Sequence, residues 1–220
     1  NGGEPGDPES DAYYVAYHTA ANFKSGNKQL LEGVIYSKDQ TNIYFTGMHP
    51  EDGWTVTADG RTASYTSEGH EDVMYAHKDN GYYATEASVF PIMVFHHLMT
   101  WLRFEIKAQD VDIAQTWGKI KEIQIHAGNK VEIDLSHEFD NDNENENWKT
   151  YISNPGPVVE LPLYAKGTDD VFPGAVPYPI PYNSSEEVAY VMCAPVNASA
   201  QETDYLLDIT TENRSATVSV

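Results

Sequence analysis

Two adjacent histidines, His96 and His97, interrupt the most apolar run of the chain, "FPIMVFHHLMTWLRFEIKA" from Phe90 to Ala108. Imidazole is both a metal ligand and a general base, so chemistry is sought here first. A metal needs two or more donors converging on one point. Neighbours on a strand point to opposite faces and do not easily share an ion, and the HExxH spacing that would set two histidines on one helical face is absent. A structural pair, one buried and one at an edge, is favoured over a shared zinc.

Other arrangements are weaker still. Asp140, Asp142 and Glu144 alternate like the opening of a calcium loop, but Asn145 and Tyr151 stand where that loop needs glycine and glutamate. A solvated loop is the simpler reading, with a weak calcium contact as its alternative. No GxSxG elbow, phosphate-binding glycine loop or cysteine–histidine pairing is present. The 34 acidic residues offer many carboxylate pairs for glycoside hydrolysis, and nothing singles one out. Cys193 is the only cysteine, which excludes an internal disulfide and a cysteine-built zinc site. No catalytic, cofactor-binding or metal-ligating residue is assigned, ligand-binding residues are unknown, no cofactor is expected, and the chain is expected not to be an enzyme.

The elements that would position any site are read from composition and period. Lys and Arg number 13 against 34 Asp and Glu, a formal charge of −21 that repels phosphate backbones and anionic headgroups. Nucleic acid is therefore not an expected partner. The charge is spread along the chain, as on a solvated surface. No apolar run approaches the roughly 18 residues of a spanning helix. The opening "NGGEPGDPES" reads as a flexible tether over 1–10, such as follows the processed start of a longer precursor.

Beyond the tether, short period-two runs dominate at 13–19, 33–37, 42–47 and 54–60. A hairpin is expected around Asp59-Gly60, because glycine supplies the positive φ of a tight turn. Strands are also expected at 120–127 and 130–135, joined by a turn at 127–129. The acidic stretch 138–148 reads as a loop and domain boundary. Strand-like segments follow at 158–165, 187–196, 204–212 and 215–220, and the prolines between 171 and 182 make that passage an extended edge or crossover. Many short strands with turn residues between them point to an all-β sandwich architecture. The 15 tyrosines and 4 tryptophans suit strand cores better than a sugar-stacking platform. The sequons at Asn183, Asn197 and Asn213 are explained by chance.

By parity, Ile92, Val94, His96, Leu98, Thr100, Leu102, Phe104 and Ile106 share one face of a continuous strand, whereas Phe95, Met99 and Leu102 fit one helical turn. A strand to about His97, a bulge or helical turn through "LMTW" and a strand from Leu102 reconcile the two. The spacing Phe95, His97, Met99, Leu102, Phe104 resembles the F-x-H-x-L-x-x-L-x-F segment of the fimbrillin-like proteins of Bacteroidetes, subunits of type V fimbriae and related surface lipoproteins, with Met99 replacing the usual leucine. "EDVMYA" at 71–76, "GKIKEIQIHAG" at 118–128 and "VAYVMCAP" at 188–195 are similar to further family strands and fall in the same order.

The resemblance implies two β-sandwich domains in tandem, of Greek-key, transthyretin-like type, placed at 11–137 and 138–220. The second is expected to be incomplete, since relatives continue past the strand matching "SATVSV". It implies a structural or accessory subunit of cell-surface fimbriae serving cell adhesion, with other fimbrial subunits as partners joined by strand addition. The expected location is the cell surface, fimbrium or outer membrane, with a lipid anchor on the precursor rather than a transmembrane segment. The first arginine, Arg61, is too deep in the fold for the trimming by which relatives open a donor-strand groove. The alternative is a surface module of the same fold binding carbohydrate or a host glycan or protein ligand. His97, at the family position, is expected to be buried and hydrogen-bonded at the strand break, whereas parity alone would bury His96.

Overall fold

The computed structural model describes residues 47–58, 62–76, 95–135, 152–153, 156–195 and 205–220. In chain order they form β1 (Gly47–His49), β2 (Thr55–Val56), β3 (Thr62–Thr66), β4 (Met74–Ala76), β5 (His96–His97), β6 (Thr100–Ile106), α1 (Val111–Trp117), β7 (Ile120–Gly128) and β8 (Lys130–Asp134). There follow β9 (Ile152–Ser153), β10 (Val158–Pro162), β11 (Tyr164–Ala165), β12 (Glu186–Cys193), β13 (Leu206–Thr211) and β14 (Ser215–Ser219). The described residues are all-β apart from one short helix, and they form four sheets ordered β1-β4-β5, β2-β3-β8-β9, β10-β7-β13-β14 and β11-β12-β6, with antiparallel pairs in each.

Two compact units hold these sheets. One comprises Asn1–Tyr65, Val73–His97 and Glu132–Ser153, the other Thr66–Asp72, Leu98–Val131 and Asn154–Val220. The units interleave in sequence, so the compact division is not the single cut expected after residue 137. The reason is strand pairing: β6 and β7, expected in the first domain, hydrogen-bond to β12 and β13 from the last third of the chain. The tether, the runs at 13–19 and 33–37 and the acidic loop with Asp140, Asp142 and Glu144 lie outside the described residues.

In the first unit, β2 and β3 pair as the expected hairpin, Thr55 opposite Ser64 and Val56 opposite Ala63, while Asp59 and Gly60 fall outside the described residues. Along β3 the alternation buries Ala63 and Tyr65, and the Trp54 ring tilts against Tyr65 at 5.3 Å. The structure reverses the burial expected for the two histidines. β5 pairs with β4 so that His96 faces Tyr75 and His97 faces Met74. Residues directly opposite share a face; Tyr75 is buried, so His96 is half-buried and His97 is exposed. Parity prevails over the family position. The strand breaks after His97 as expected, but at Leu98 and Met99 only, with β6 resuming at Thr100 rather than Leu102, and across the break the chain passes from the β4 sheet to the β12 sheet.

The second unit is a sandwich of the β10-β7-β13-β14 and β11-β12-β6 sheets. Its core takes Ile123, Ile125 and Ala127 from β7, Leu161 from β10, Leu207 from β13 and Val191 and Cys193 from β12. These are alternate positions, as a sheet buried on one face demands. Between Glu187 and Ala189 the β12 register against β6 slips by a bulge, which turns Val188 and Ala189 both toward the core. The turn expected at 127–129 is instead a crossing, since β7 and β8 belong to different sheets. The backbone there serves other partners: Gly128 accepts from Ala194 N–H at 2.8 Å, and Asn129 accepts from Ser67 N–H at 2.8 Å. The Asn129 amide donates back to the Ser67 carbonyl at 2.9 Å.

The proline-bearing passage behaves as an extended crossover, touching the sheets by single bridges at Tyr178 and Val171 and burying Phe172. Helix α1 starts on Asp110, whose carboxylate accepts the Ile113 N–H at 2.8 Å. It ends at Gly118, whose φ of 77° a side-chain-bearing residue rarely adopts.

Candidate functional site

A four-stranded sheet facing a three-stranded one leaves one strand without a strand opposite it. Side-chain exposure puts that strand at β14. In its register with β13, Ala216 and Val218 share a face with Ile209 and the buried Leu207, so they point to the core side of the sheet. Yet Val218 is 37 % exposed and Val220 is 60 % exposed. On the opposing sheet, β6 carries Leu102, Phe104 and Ile106 inward, and they are only half-buried. Among the described residues β14 pairs only with β13 and β6 only with β12.

The hydrogen-bonding state of β14 follows from its ends. Tyr205 and Val220 exchange both backbone bonds, at 3.1 and 2.9 Å, and Thr211 N–H reaches Arg214 C=O at 2.8 Å. Bonded and non-bonded pairs alternate along an antiparallel ladder, so Ala216 and Val218 also bond to β13. Ser215, Thr217 and Ser219 therefore turn their N–H and C=O groups to the open edge. Edges are normally blunted by charge, proline or shortness. β10 ends in Pro162, β11 has two residues and β6 carries Arg103 and Glu105, but β14 has none of these devices. Among the described residues, the open side of this unit offers a backbone edge with no partner strand beside an exposed apolar strip.

The outer face of the β11-β12-β6 sheet carries Tyr164, Tyr190 and Trp101 in a row. Trp101 is 60 % exposed, with the Arg103 guanidinium 5.8 Å from its ring centre. The rings are not coplanar, tilting 40° between Tyr164 and Tyr190 and 89° between Tyr190 and Trp101, so they form no flat stacking platform. Burial and the hydrogen bond from its hydroxyl to Asp169 push the Tyr190 phenol up to about 12.

A tight loop, Ser67–Glu71, docks on the same unit. The Glu71 carboxylate accepts the Ser67 hydroxyl at 2.7 Å and the N–H groups of Glu68, Gly69 and His70 at 2.9, 3.2 and 3.3 Å. Gly69 has φ +109° and a Cβ there would lie 3.2 Å from Val191, so only glycine suits the turn. Burial alone would raise the Glu71 carboxyl, but the Ser67 hydroxyl and the surrounding donors outweigh it and hold the group below its ordinary value. The nest is thus filled by the protein's own carboxylate. Cys193 is fully buried beside the Thr100 carbonyl and the Tyr205 hydroxyl, and burial pushes its thiol up, so it is an inert core residue.

His96 and His97 lie in the first unit and join no cluster of metal-ligating groups among the described residues. The signature residues Leu102 and Phe104 pack on the second unit's core, while the β14 edge had no local motif to announce it. No helix among the described residues is long and apolar enough to cross a membrane.

Comparison with known proteins gives one family. A family model described as fimbrillin-like matches residues 4–152, more than half of the chain. No curated protein and no solved structure matches.

Proposed function

Because the chain belongs to the fimbrillin-like family, we propose that it is a structural or accessory subunit of a bacterial surface fimbria that joins its neighbours by accepting an extended strand on the open side of its second unit. The family is one of structural subunits rather than enzymes, and it implies a fimbrial location at the cell surface. The strongest support for strand addition is β14, an edge of five uncharged residues without proline in a chain of net charge −21. An incoming strand would satisfy the outward backbone groups of Ser215, Thr217 and Ser219. Its apolar alternate residues would cover the strip at Val218 and Val220. A lipid-anchored precursor and a role in adhesion complete the proposal.

The test is assembly. The purified protein, with and without trypsin-like trimming, is expected to give SDS-resistant ladders. Ser215→Pro with Ser219→Pro removes two outward donors without breaking a β13 bond, and should abolish the ladder while leaving circular dichroism unchanged. A ladder that persists in this variant would rule out the β14 edge, and no ladder under any trimming would rule out assembly by this chain.

A further inference from the structure

We propose that His126, Glu160 and Asp208 form a binding site for one divalent first-row transition metal ion, of the zinc and nickel class, on the outer face of the β10-β7-β13-β14 sheet. The three side chains come from three neighbouring strands. Glu160 is directly opposite His126 across β10 and β7, and Asp208 lies two residues along β13 from Leu206, the other partner of His126. Even spacing puts all three on one face. One ligand atom from each lies within 4.8 Å of the others, with His126 Nε2 and Asp208 Oδ2 at 2.6 Å.

A cross-strand pair of His126 and Asp208 accounts for only two members. Glu160 makes no hydrogen bond or ion pair among the described residues, yet it brings a second carboxylate beside one imidazole. In a chain of net charge −21, that excess of negative charge calls for a cation. Imidazole with carboxylates suits zinc, nickel or copper better than calcium or magnesium. The carboxylate is also oriented as a metal ligand's usually is: the Thr217 hydroxyl donates to Asp208 Oδ1, leaving Oδ2 directed at the site. Glu160 is exposed and His126 and Asp208 are half-buried, so a hydrated ion reaches them from solvent. Three protein ligands leave at least one coordination position to water.

Titration of the full chain with zinc chloride, after treatment with chelator, tests the site by calorimetry and by thermal melting. One equivalent is expected to bind saturably and raise the melting temperature. His126→Gln and Glu160→Gln should each weaken this binding at least about tenfold, and Thr217→Val, which only positions Asp208, by about 10–100-fold. His97→Gln, which changes an exposed histidine in the other unit, should leave it unchanged. Glu160 is exposed on an edge strand, so its variant keeps the comparison sound even if His126→Gln loosens the sheet. Equal affinity in Glu160→Gln and the parent chain, or no saturable binding in the parent, would overturn the proposal.

Discussion

Replacing Glu71 by glutamine should destabilise the second unit by roughly 2 kcal/mol at neutral pH, and the cost should vanish in acid. Glu71 is 17 % exposed, and two of its four hydrogen bonds are short, from Ser67 Oγ at 2.7 Å and Glu68 N–H at 2.9 Å. A bond to a charged acceptor contributes roughly 1.5–3 kcal/mol against about 1 for a neutral one. A glutamine oxygen keeps the acceptor and loses the charge, so the two short bonds lose roughly 1 kcal/mol each. For a chain of this size that corresponds to a fall in Tm of about 4–8 °C. The folded carboxyl is held below its ordinary value, so its stabilisation is complete above the ordinary carboxylate range and is lost as pH falls through the folded value. Urea unfolding of both chains, from pH 7 down to the lowest pH at which both fold, should show the difference shrinking steadily. A difference below about 0.5 kcal/mol at neutral pH, well under the two-bond loss, or one that grows in acid, would refute the reasoning.

Three further substitutions probe the frame around the open edge. Ile125→Ala empties a fully buried position in the second unit's core and should cost about 2–5 kcal/mol in denaturant unfolding; a loss under about 1 kcal/mol would place the core elsewhere. Thr211 is buried, and its hydroxyl lies 2.6 Å from the Trp117 carbonyl and 3.0 Å from the Arg214 N–H. Thr211→Val leaves both without that partner and should cost about 1–3 kcal/mol, measured the same way. Asp110→Ala removes the α1 cap and should cost about 1 kcal/mol, seen as faster amide exchange at Ile113 with the sheets unaffected.

The β class was legible because alternation is a local property: β3, β7 and β12 each show it in a few consecutive residues. The segment Phe95–Phe104 was also legible as core with a break, since no single period fits both sides of Met99. Partner choice was not. The turn expected at Ala127–Asn129 failed because Gly128 and Asn129 bond to Ala194 and Ser67, residues remote in sequence. His97 was misplaced because its exposure depends on which residue of β4 it faces. Helix α1 is only seven residues long, too short for its period to stand out. The cluster of His126, Glu160 and Asp208 exists only once β10, β7 and β13 are side by side, so no spacing could reveal it.

The central claim is that an incoming strand pairs with β14. Hydrogen exchange at the backbone amides of Ser215, Thr217 and Ser219 measures this most directly, because these groups face away from β13. In the free subunit they should exchange rapidly while Ala216 and Val218 are protected, and in SDS-resistant assemblies all five should be protected. Fast exchange at Ser215, Thr217 and Ser219 in assembled material would contradict the account.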